Sequence, residues 1–410
     1  MLENLKCKWM SIELNSPYVM ASLTLMSYVD LSRHVDYYKR ANMFGVGAIV
    51  LPSVNPEVCG NSESNSTIVD SLMIDTGLHK NHKMGLAVLG PTVPNIIPLN
   101  YGVSLANVLK KEIKGTPIIA SIANIGEEDK IITAVDKLSK TGVDGIELNF
   151  SCPNVRVKDE RKSVFNNELL KKIREITKLP ISFKITPYED YSLILDSLNG
   201  EIDGLTLSNA YVGLVPPEID GAQYSPFEKR EEWAPCGVYG PFERLLTFYR
   251  LFKYHDICSK KNLSIACVGG IVSATEAIQA ILLGADVVQF SSAIAWHGTR
   301  FFQESNMFLA DYLENHNFNS VNSIKGSVLP YIKSNTDELK KHSTSQKMKV
   351  NEEKCKKCKE CMCCDRLCIA ISQKPNGIVQ INSELCSGCK WCYYLCTNGA
   401  IIEDDKSNCV

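Results

Sequence analysis

Cysteines near the carboxyl end carry the most specific chemical signal in the chain. Cys386, Cys389, Cys392 and Cys396 follow Cys-x2-Cys-x2-Cys-x3-Cys, a spacing that wraps thiolates around a cubane iron–sulfur cluster. Upstream, Cys355, Cys358 and Cys361 repeat the first three positions. The fourth ligand there is Cys363, Cys364 or Cys368. Cys368 is chosen, because Cys368-Ile369-Ala370-Ile371 runs into an apolar strand much as Cys396 to Ile401 does. Two zinc knuckles are the competing reading, disfavoured because zinc pairs usually lie farther apart in the chain than two such triplets. The expectation is two 4Fe–4S clusters. Clusters move single electrons and do no organic chemistry alone, so a flavin is expected elsewhere to convert them into a two-electron reaction.

A second group of reactive side chains lies in Glu147 to Asn154. Gly145 to Phe150 has strand character and Pro153 stops it. Asn149, Ser151, Cys152 and Asn154 are thereby gathered at a strand's carboxyl end, where parallel sheets and barrels place their chemistry. The plain alternative is a polar turn with an inert cysteine. Lys184 sits inside the apolar run Phe183 to Ile185, and a lysine there is rarely idle. Its cation suits the electron-rich N1/C2 edge of a reduced flavin ring. Gly269 and Gly270 follow the run Ile265 to Val268 and let backbone amides approach a phosphate. Ser291 and Ser292, after Phe290, complete that cradle at the last two strands.

The elements that hold these groups alternate strand with helix. Strands are expected at Tyr18 to Leu23, Ala48 to Leu51, Pro117 to Ile122, Gly145 to Phe150, Ile181 to Ile185, Gly204 to Leu207, Leu263 to Val268 and Val287 to Phe290. Helices are expected from Leu31 to Met43, Glu127 to Lys140, Asn166 to Leu179, Tyr191 to Leu198, Arg244 to Tyr254, Ala274 to Leu283 and about Gly298 to Leu313. Asn55 to Pro98 reads as long loops and short hairpins over one barrel end. Repeated βα with close to eight short apolar strands predicts an α/β fold, a (β/α)8 TIM barrel. No Gly-x-Gly-x-x-Gly follows the first strand, which disfavours an open dinucleotide-binding sheet. The expected domains are a flavin-binding barrel over 1–332, a polar linker over 333–350 and a ferredoxin-like two-cluster domain over 351–410.

Composition agrees with that division. The 410 residues are 45% hydrophobic and 22% charged with a net charge of −2, which gives no basic excess for nucleic acid. No apolar run reaches membrane-spanning length, and a cytoplasmic location is expected. Of 17 cysteines, 11 lie between Cys355 and Cys409, a density that metal ligation in a reducing compartment accounts for better than disulfides.

The string Glu147-Leu148-Asn149-Phe150-Ser151-Cys152-Pro153-Asn154 resembles the signature of the dihydroorotate and dihydropyrimidine dehydrogenase flavoproteins. From about Tyr18 to Leu313 the chain is similar to their FMN barrel. Its domain order is like that of the bacterial dihydropyrimidine dehydrogenase subunit carrying FMN and two clusters. The resemblance implies that Asn149, Ser151, Asn154 and Asn209 hold a pyrimidine ring. Cys152 would be the acid/base. Ala21, Ser22, Lys184, Gly237, Gly240, Gly269, Gly270, Ser291 and Ser292 would contact FMN. In the two-cluster ferredoxin fold the fourth cysteine serves the other cluster. That implies one set of Cys355, Cys358, Cys361 and Cys396, and another of Cys386, Cys389, Cys392 and Cys368.

The implied reaction adds or removes hydrogen across the C5–C6 bond of a pyrimidine-like cyclic amide. Electrons would pass to or from a ferredoxin or an NAD(P)H-oxidising flavoprotein subunit, in a homo- or hetero-oligomer. Two departures stand out. Leu23 replaces a family glycine after the first strand, and Pro52 or Ser53 stands where the family has a lysine near FMN. The missing lysine and the fused cysteine module speak against dihydroorotate oxidation, the second enzymatic reading. A non-catalytic electron-transfer protein is the third.

Overall fold

Eight short apolar runs meet edge to edge in a computed structural model that describes residues 3–22, 30–56, 71–74, 86–89, 96–123, 127–151, 167–214, 236–334, 347–362 and 368–404. They are β1 (Tyr18–Met20), β2 (Ala48–Val50), β3 (Ile118–Ala123), β4 (Gly145–Asn149), β5 (Ile181–Lys184), β6 (Gly204–Leu207), β7 (Ser264–Cys267) and β8 (Val287–Phe290). Each pairs in parallel with the next, and β8 pairs with β1, so the ring closes. Nearly every strand residue is buried. That is why these runs read as continuous Val, Ile, Leu and Ala rather than alternating. Each Val, Ile or Leu side chain so buried contributes roughly 1.5–3 kcal/mol.

One helix follows each of the first seven strands: α1 (Leu31–Met43), α2 (Leu99–Glu112), α3 (Glu128–Ser139), α4 (Asn167–Ile176), α5 (Ser192–Ser197), α6 (Arg244–Lys260) and α7 (Ala274–Leu282). Two more, α8 (Ser292–His297) and α9 (Phe301–Asn315), follow β8. The unit is a closed (β/α)8 TIM barrel. Side-chain caps fix where helices begin. Asp30 accepts the Ser32 N–H at 3.0 Å and the Arg33 N–H at 3.3 Å at the start of α1. Ser273 and Glu276 form a reciprocal capping box on α7. In α3, Ile131, Ala134, Val135 and Leu138 are buried, the stripe a helix lays on a barrel wall.

The amino-terminal end of the ring is stoppered by an antiparallel hairpin of Cys7–Trp9 and Ile12–Leu14. Trp9 and Met10 are buried, and the Met10 N–H donates to Ser264 Oγ at 3.0 Å. Beyond β2, Ser53–Asn55 pairs in parallel with Ile96–Pro98. Tyr211–Gly213, Cys236–Tyr239, Leu86–Leu89 and Ser71–Ile74 form an antiparallel sheet of their own.

The hairpin and α2 have no counterpart in the sequence reading. Leu99, Leu105, Ala106 and Leu109 give α2 a buried stripe. Asn100 and Gly102 are weak helix formers and blur its period, while Pro98 stands immediately outside it. Helix α6 runs to Lys260, past the expected Tyr254, and α9 begins at Phe301 after the separate α8.

The chain divides into two compact units, Met1–Tyr331 and Ile332–Val410. In the second, Met348–Val350 pairs antiparallel with Ile401–Glu403, and Ile371–Gln373 with Val379–Ile381. Its core is small: Met348, Cys361, Ile371, Val379 and Ile401. A core of that size usually needs a staple such as a metal site. Among the described residues no helix is long and apolar enough to cross a membrane.

Candidate active site

The carboxyl ends of the barrel strands surround a cavity of about 800 Å³, counting its open mouth. Ala21 and Ser22 reach it from β1, Ser53 from beyond β2, Asn149 from β4 and Lys184 from β5. Ser208, Asn209 and Ala210 follow β6, Gly269 and Gly270 follow β7, and Gln289, Ser291 and Ser292 come from β8 and its loop.

The floor is charged. Lys184 Nζ lies 3.8 Å from Glu147 Oε1, with side chains 6% and 0% exposed. Glu147 Oε2 accepts from Thr206 Oγ1 and from Gln289 Nε2, both at 3.1 Å. The carboxylate is thus fixed by β6 and β8 while β5 supplies its counter-charge. Among the described residues no hydrogen bond takes up the Lys184 ammonium, and Glu147 is its ion-pair partner. Gln289 Oε1 is also buried with no hydrogen-bond partner among them.

Above the floor, short polar side chains link strand to strand. Ser53 Oγ lies 2.8 Å from Ser121 Oγ and 3.2 Å from Ser22 Oγ, and accepts from Asn149 Nδ2 at 2.9 Å. Asn209 Nδ2 donates to Asn149 Oδ1 at 3.0 Å and to Ser151 Oγ at 2.8 Å. Asn209 Oδ1 accepts from the Ala210 N–H at 2.9 Å. The Leu207–Ser208 peptide before it is cis. Both Asn209 N–H protons are spent in these bonds, so among the described residues the pair keeps one Asn149 N–H and an Asn209 oxygen lone pair for a ligand.

At the far wall, Gly269 and Gly270 have φ of +119° and +73°, a left-handed backbone that glycine alone adopts freely. A Cβ on Gly270 would stand 2.3 Å from the Arg244 backbone nitrogen. Glu243, just before α6, lines the same wall and is 3% exposed. Burial pushes its carboxyl up to about 8, against weaker lowering by the Tyr211 N–H and the Lys184 cation.

A family model described as dihydroorotate dehydrogenase matches residues 99–313. The chain belongs to the dihydroorotate dehydrogenase family. The catalytic subunit of dihydroorotate dehydrogenase B (NAD(+)) from Pyrococcus furiosus is 26% identical over 330 residues, which cover 79% of this chain and 98% of that protein. The same subunit from Staphylococcus carnosus is 26% identical over 288 residues, 69% of this chain and 84% of that one. Chloroplastic dihydropyrimidine dehydrogenase (NADP(+)) from Arabidopsis thaliana is 24% identical over 266 residues, 61% and 60% of the two chains. Like its family, the chain is an oxidoreductase acting on CH–CH donors and a flavoprotein of pyrimidine metabolism.

Family membership implies FMN, and the donor set fits one. The glycine turn lines the cavity with a backbone that has no room for a Cβ against Thr247 and Arg244, Ser291 and Ser292 line the same cavity with Lys184, and Gln289 Oε1 is buried without a partner among the described residues. Of the residues expected at the site, Asn149, Asn209, Ala21, Ser22, Lys184, Gly269, Gly270, Ser291 and Ser292 line this one cavity. Ser151 joins it through Asn209. Gly237 and Gly240 do not line the cavity, although Tyr239 between them does. Cys152, Asn154, Leu23, Cys363 and Cys364 lie outside the described residues. Tyr239, Glu243 and Gln289 line the cavity without having been expected there, and Ser53 lines it at the position of the absent family lysine. Gln289 and its partner Glu147 carried a signal, since each is a polar residue inside an apolar strand.

In the second unit the cysteines gather round two hollows. Cys355, Cys358, Cys361 and Cys396 line one. Cys368, Cys386, Cys389 and Cys392 line the other, with Cys361 on its wall as well. The Ala400 N–H donates to Cys396 Sγ at 3.2 Å and Asn398 Nδ2 to Cys358 Sγ at 3.7 Å, bonds of the kind that tune cluster thiolates. Burial, then neighbouring cysteines, pushes the Cys361 and Cys392 thiols up to about 11. A bound cluster reverses that by taking them as thiolates. No group of three or more His, Cys, Asp or Glu among the described residues is placed to hold a single metal ion. A cubane cluster asks for something different, four sulfurs spread around a body of iron and sulfide.

Proposed function

We propose that the chain is an FMN- and iron–sulfur-dependent oxidoreductase acting across the C5–C6 bond of a pyrimidine-like cyclic amide, as dihydropyrimidine dehydrogenases do. The observation that carries this reading is the joined pair Asn149 and Asn209 on the wall of the cavity. With Ser151 and Asn154, these carboxamides hold the ring amides in register. Cys152 holds the proton exchanged at the ring carbon. Lys184 offsets negative charge on the ligand, and Gly269, Gly270, Ser291 and Ser292 receive a phosphate. Ala21, Ser22, Gly237 and Gly240 complete the FMN surroundings.

Bound there, FMN supplies the change between two-electron and one-electron chemistry. Cys355, Cys358, Cys361 and Cys396 hold one 4Fe–4S cluster, and Cys368, Cys386, Cys389 and Cys392 the other, for single-electron transfer. The barrel then occupies 1–332 and the ferredoxin-like domain 351–410, with 333–350 as linker. A ferredoxin or an NAD(P)H-oxidising flavoprotein subunit exchanges electrons with it, in the cytoplasm and in an oligomer.

Dihydroorotate oxidation is the second reading, favoured by the near full-length match to a B-type catalytic subunit. Against it, the position of the family lysine is held by Ser53, which lines the cavity and is bonded to three neutral side chains, so that residue supplies no charge for orotate's carboxylate. The test is to add dihydrouracil, dihydrothymine or dihydroorotate to the oxidised, anaerobic protein and follow the flavin band. Bleaching by the first two supports the proposal. Bleaching by dihydroorotate alone decides for the second reading, and no bleaching by any of them removes both.

A further inference from the structure

We propose that Glu243 makes this site take up a proton together with its phosphate-bearing ligand, because its carboxyl group is built into the wall of the phosphate cradle. The proposal rests on the flavin reading above and concerns a residue that reading does not use. Glu243 ends the 3-10 turn Pro241–Glu243 that leads into α6. It lines the cavity and is 3% exposed. A Cβ on Gly269 would lie 3.2 Å from Glu243 Oε2, and one on Gly270 only 2.3 Å from the nitrogen of Arg244. Carboxyl group and helix start therefore press against the very turn whose amides would receive the phosphate.

Among the described residues, the groups around Glu243 leave it without a tight counter-charge. Its Oε1 accepts the Tyr211 N–H at 3.4 Å, a long bond. Lys184 on β5 acts on it as a cation, yet Lys184 is paired with Glu147. Arg244, next in the chain, is turned to Glu276 on α7. Tyr239 lines the same wall, and burial pushes the Tyr211 phenol up, away from titration near neutrality. A carboxylate here would face the phosphate with like charge at low dielectric. The protonated acid can instead donate a hydrogen bond to it.

The sign of the linkage follows. With its carboxyl at about 8 in the free site, Glu243 is neutral at lower pH and affinity is level there. Above that pH the free site has lost the proton that the complex needs, and each further unit costs about tenfold in affinity. A phosphomonoester loses its second proton near pH ~6, so the ligand itself is already a dianion throughout this range.

The test titrates FMN and riboflavin into the full chain, clusters in place and flavin removed, between about pH 6.5 and 9.5 by fluorescence quenching. Calorimetry in buffers of different ionisation enthalpy counts the protons taken up. FMN affinity should be level to near pH 8 and then fall about tenfold per unit, with proton uptake. Riboflavin, lacking the phosphate, should show no such fall. Glu243→Gln should bind FMN with a flat profile and take up no proton. Level wild-type affinity, or an equal fall for riboflavin or for Glu243→Gln, overturns the proposal while leaving the flavin site standing. Failure to bind FMN even at the lowest pH overturns the flavin reading, and the role of Glu243 with it.

Discussion

Lys184 and Glu147 face each other inside the barrel, almost wholly out of water. A charge at that depth is tolerated because its counter-charge is there, and removing one partner typically costs about 3–5 kcal/mol. Lys184→Met should therefore lower the urea midpoint of the flavin-free protein by an amount of that order. Adding Glu147→Gln should recover most of the loss, since Thr206 and Gln289 can still bond a carboxamide oxygen. If the double variant is no more stable than Lys184→Met alone, the two side chains are not coupled.

Cys152→Ala should leave FMN bound and the substrate constant nearly unchanged while turnover falls about 10²–10⁴-fold, the worth of a positioned general acid. Unaltered turnover moves that role to another side chain. Lys184 was legible in the sequence because a charge interrupts an apolar strand, and Glu147 and Gln289 interrupt theirs in the same way. Glu243 was not legible. Its place in the wall depends on α6 meeting the Gly269–Gly270 turn, a contact that no local pattern encodes.

At the scale of elements, that turn is the tightest junction of the site. Gly270→Ala would combine a left-handed φ of +73° with a Cβ driven 2.3 Å from the backbone of Arg244. No rotamer relieves a backbone clash, so α6 must shift. Lower thermal stability together with weaker FMN binding is expected, and a variant matching wild type in both would show that the junction is softer than its geometry. In the second unit, Cys389→Ser should remove about half of the iron and acid-labile sulfide if the two cysteine sets assemble independently. Stoichiometric zinc without sulfide in the anaerobic wild type would end the cluster assignment. The βα alternation could be read from the sequence because parallel strands are buried on both faces and their residues are mostly apolar rather than alternating. Helix α2 could not, because Gly102 and Asn100 sit in its first turn. The stoppering hairpin could not either, since three-residue strands leave too short a pattern to count.

For the molecule as a whole, the proposed electron partner is a ferredoxin or a flavoprotein subunit rather than a nicotinamide bound by this chain. Anaerobic protein mixed with NADH or NADPH alone should therefore keep its flavin band until a ferredoxin or a reducing flavoprotein is added. Rapid stoichiometric bleaching by the nicotinamide alone would falsify this. The closure of the ring has a consequence for synthesis. Strand β1 needs β8 on one side, and Tyr18 pairs with Val288. A ribosome adds ~5–20 residues per second, so these two partners emerge on the order of tens of seconds apart. For that interval the nascent chain can form at most an open, parallel sheet with unpaired edges, the kind of surface that chaperones shield. The cysteines from Cys355 onward leave the ribosome only after β8, when the barrel already has every strand it needs to close.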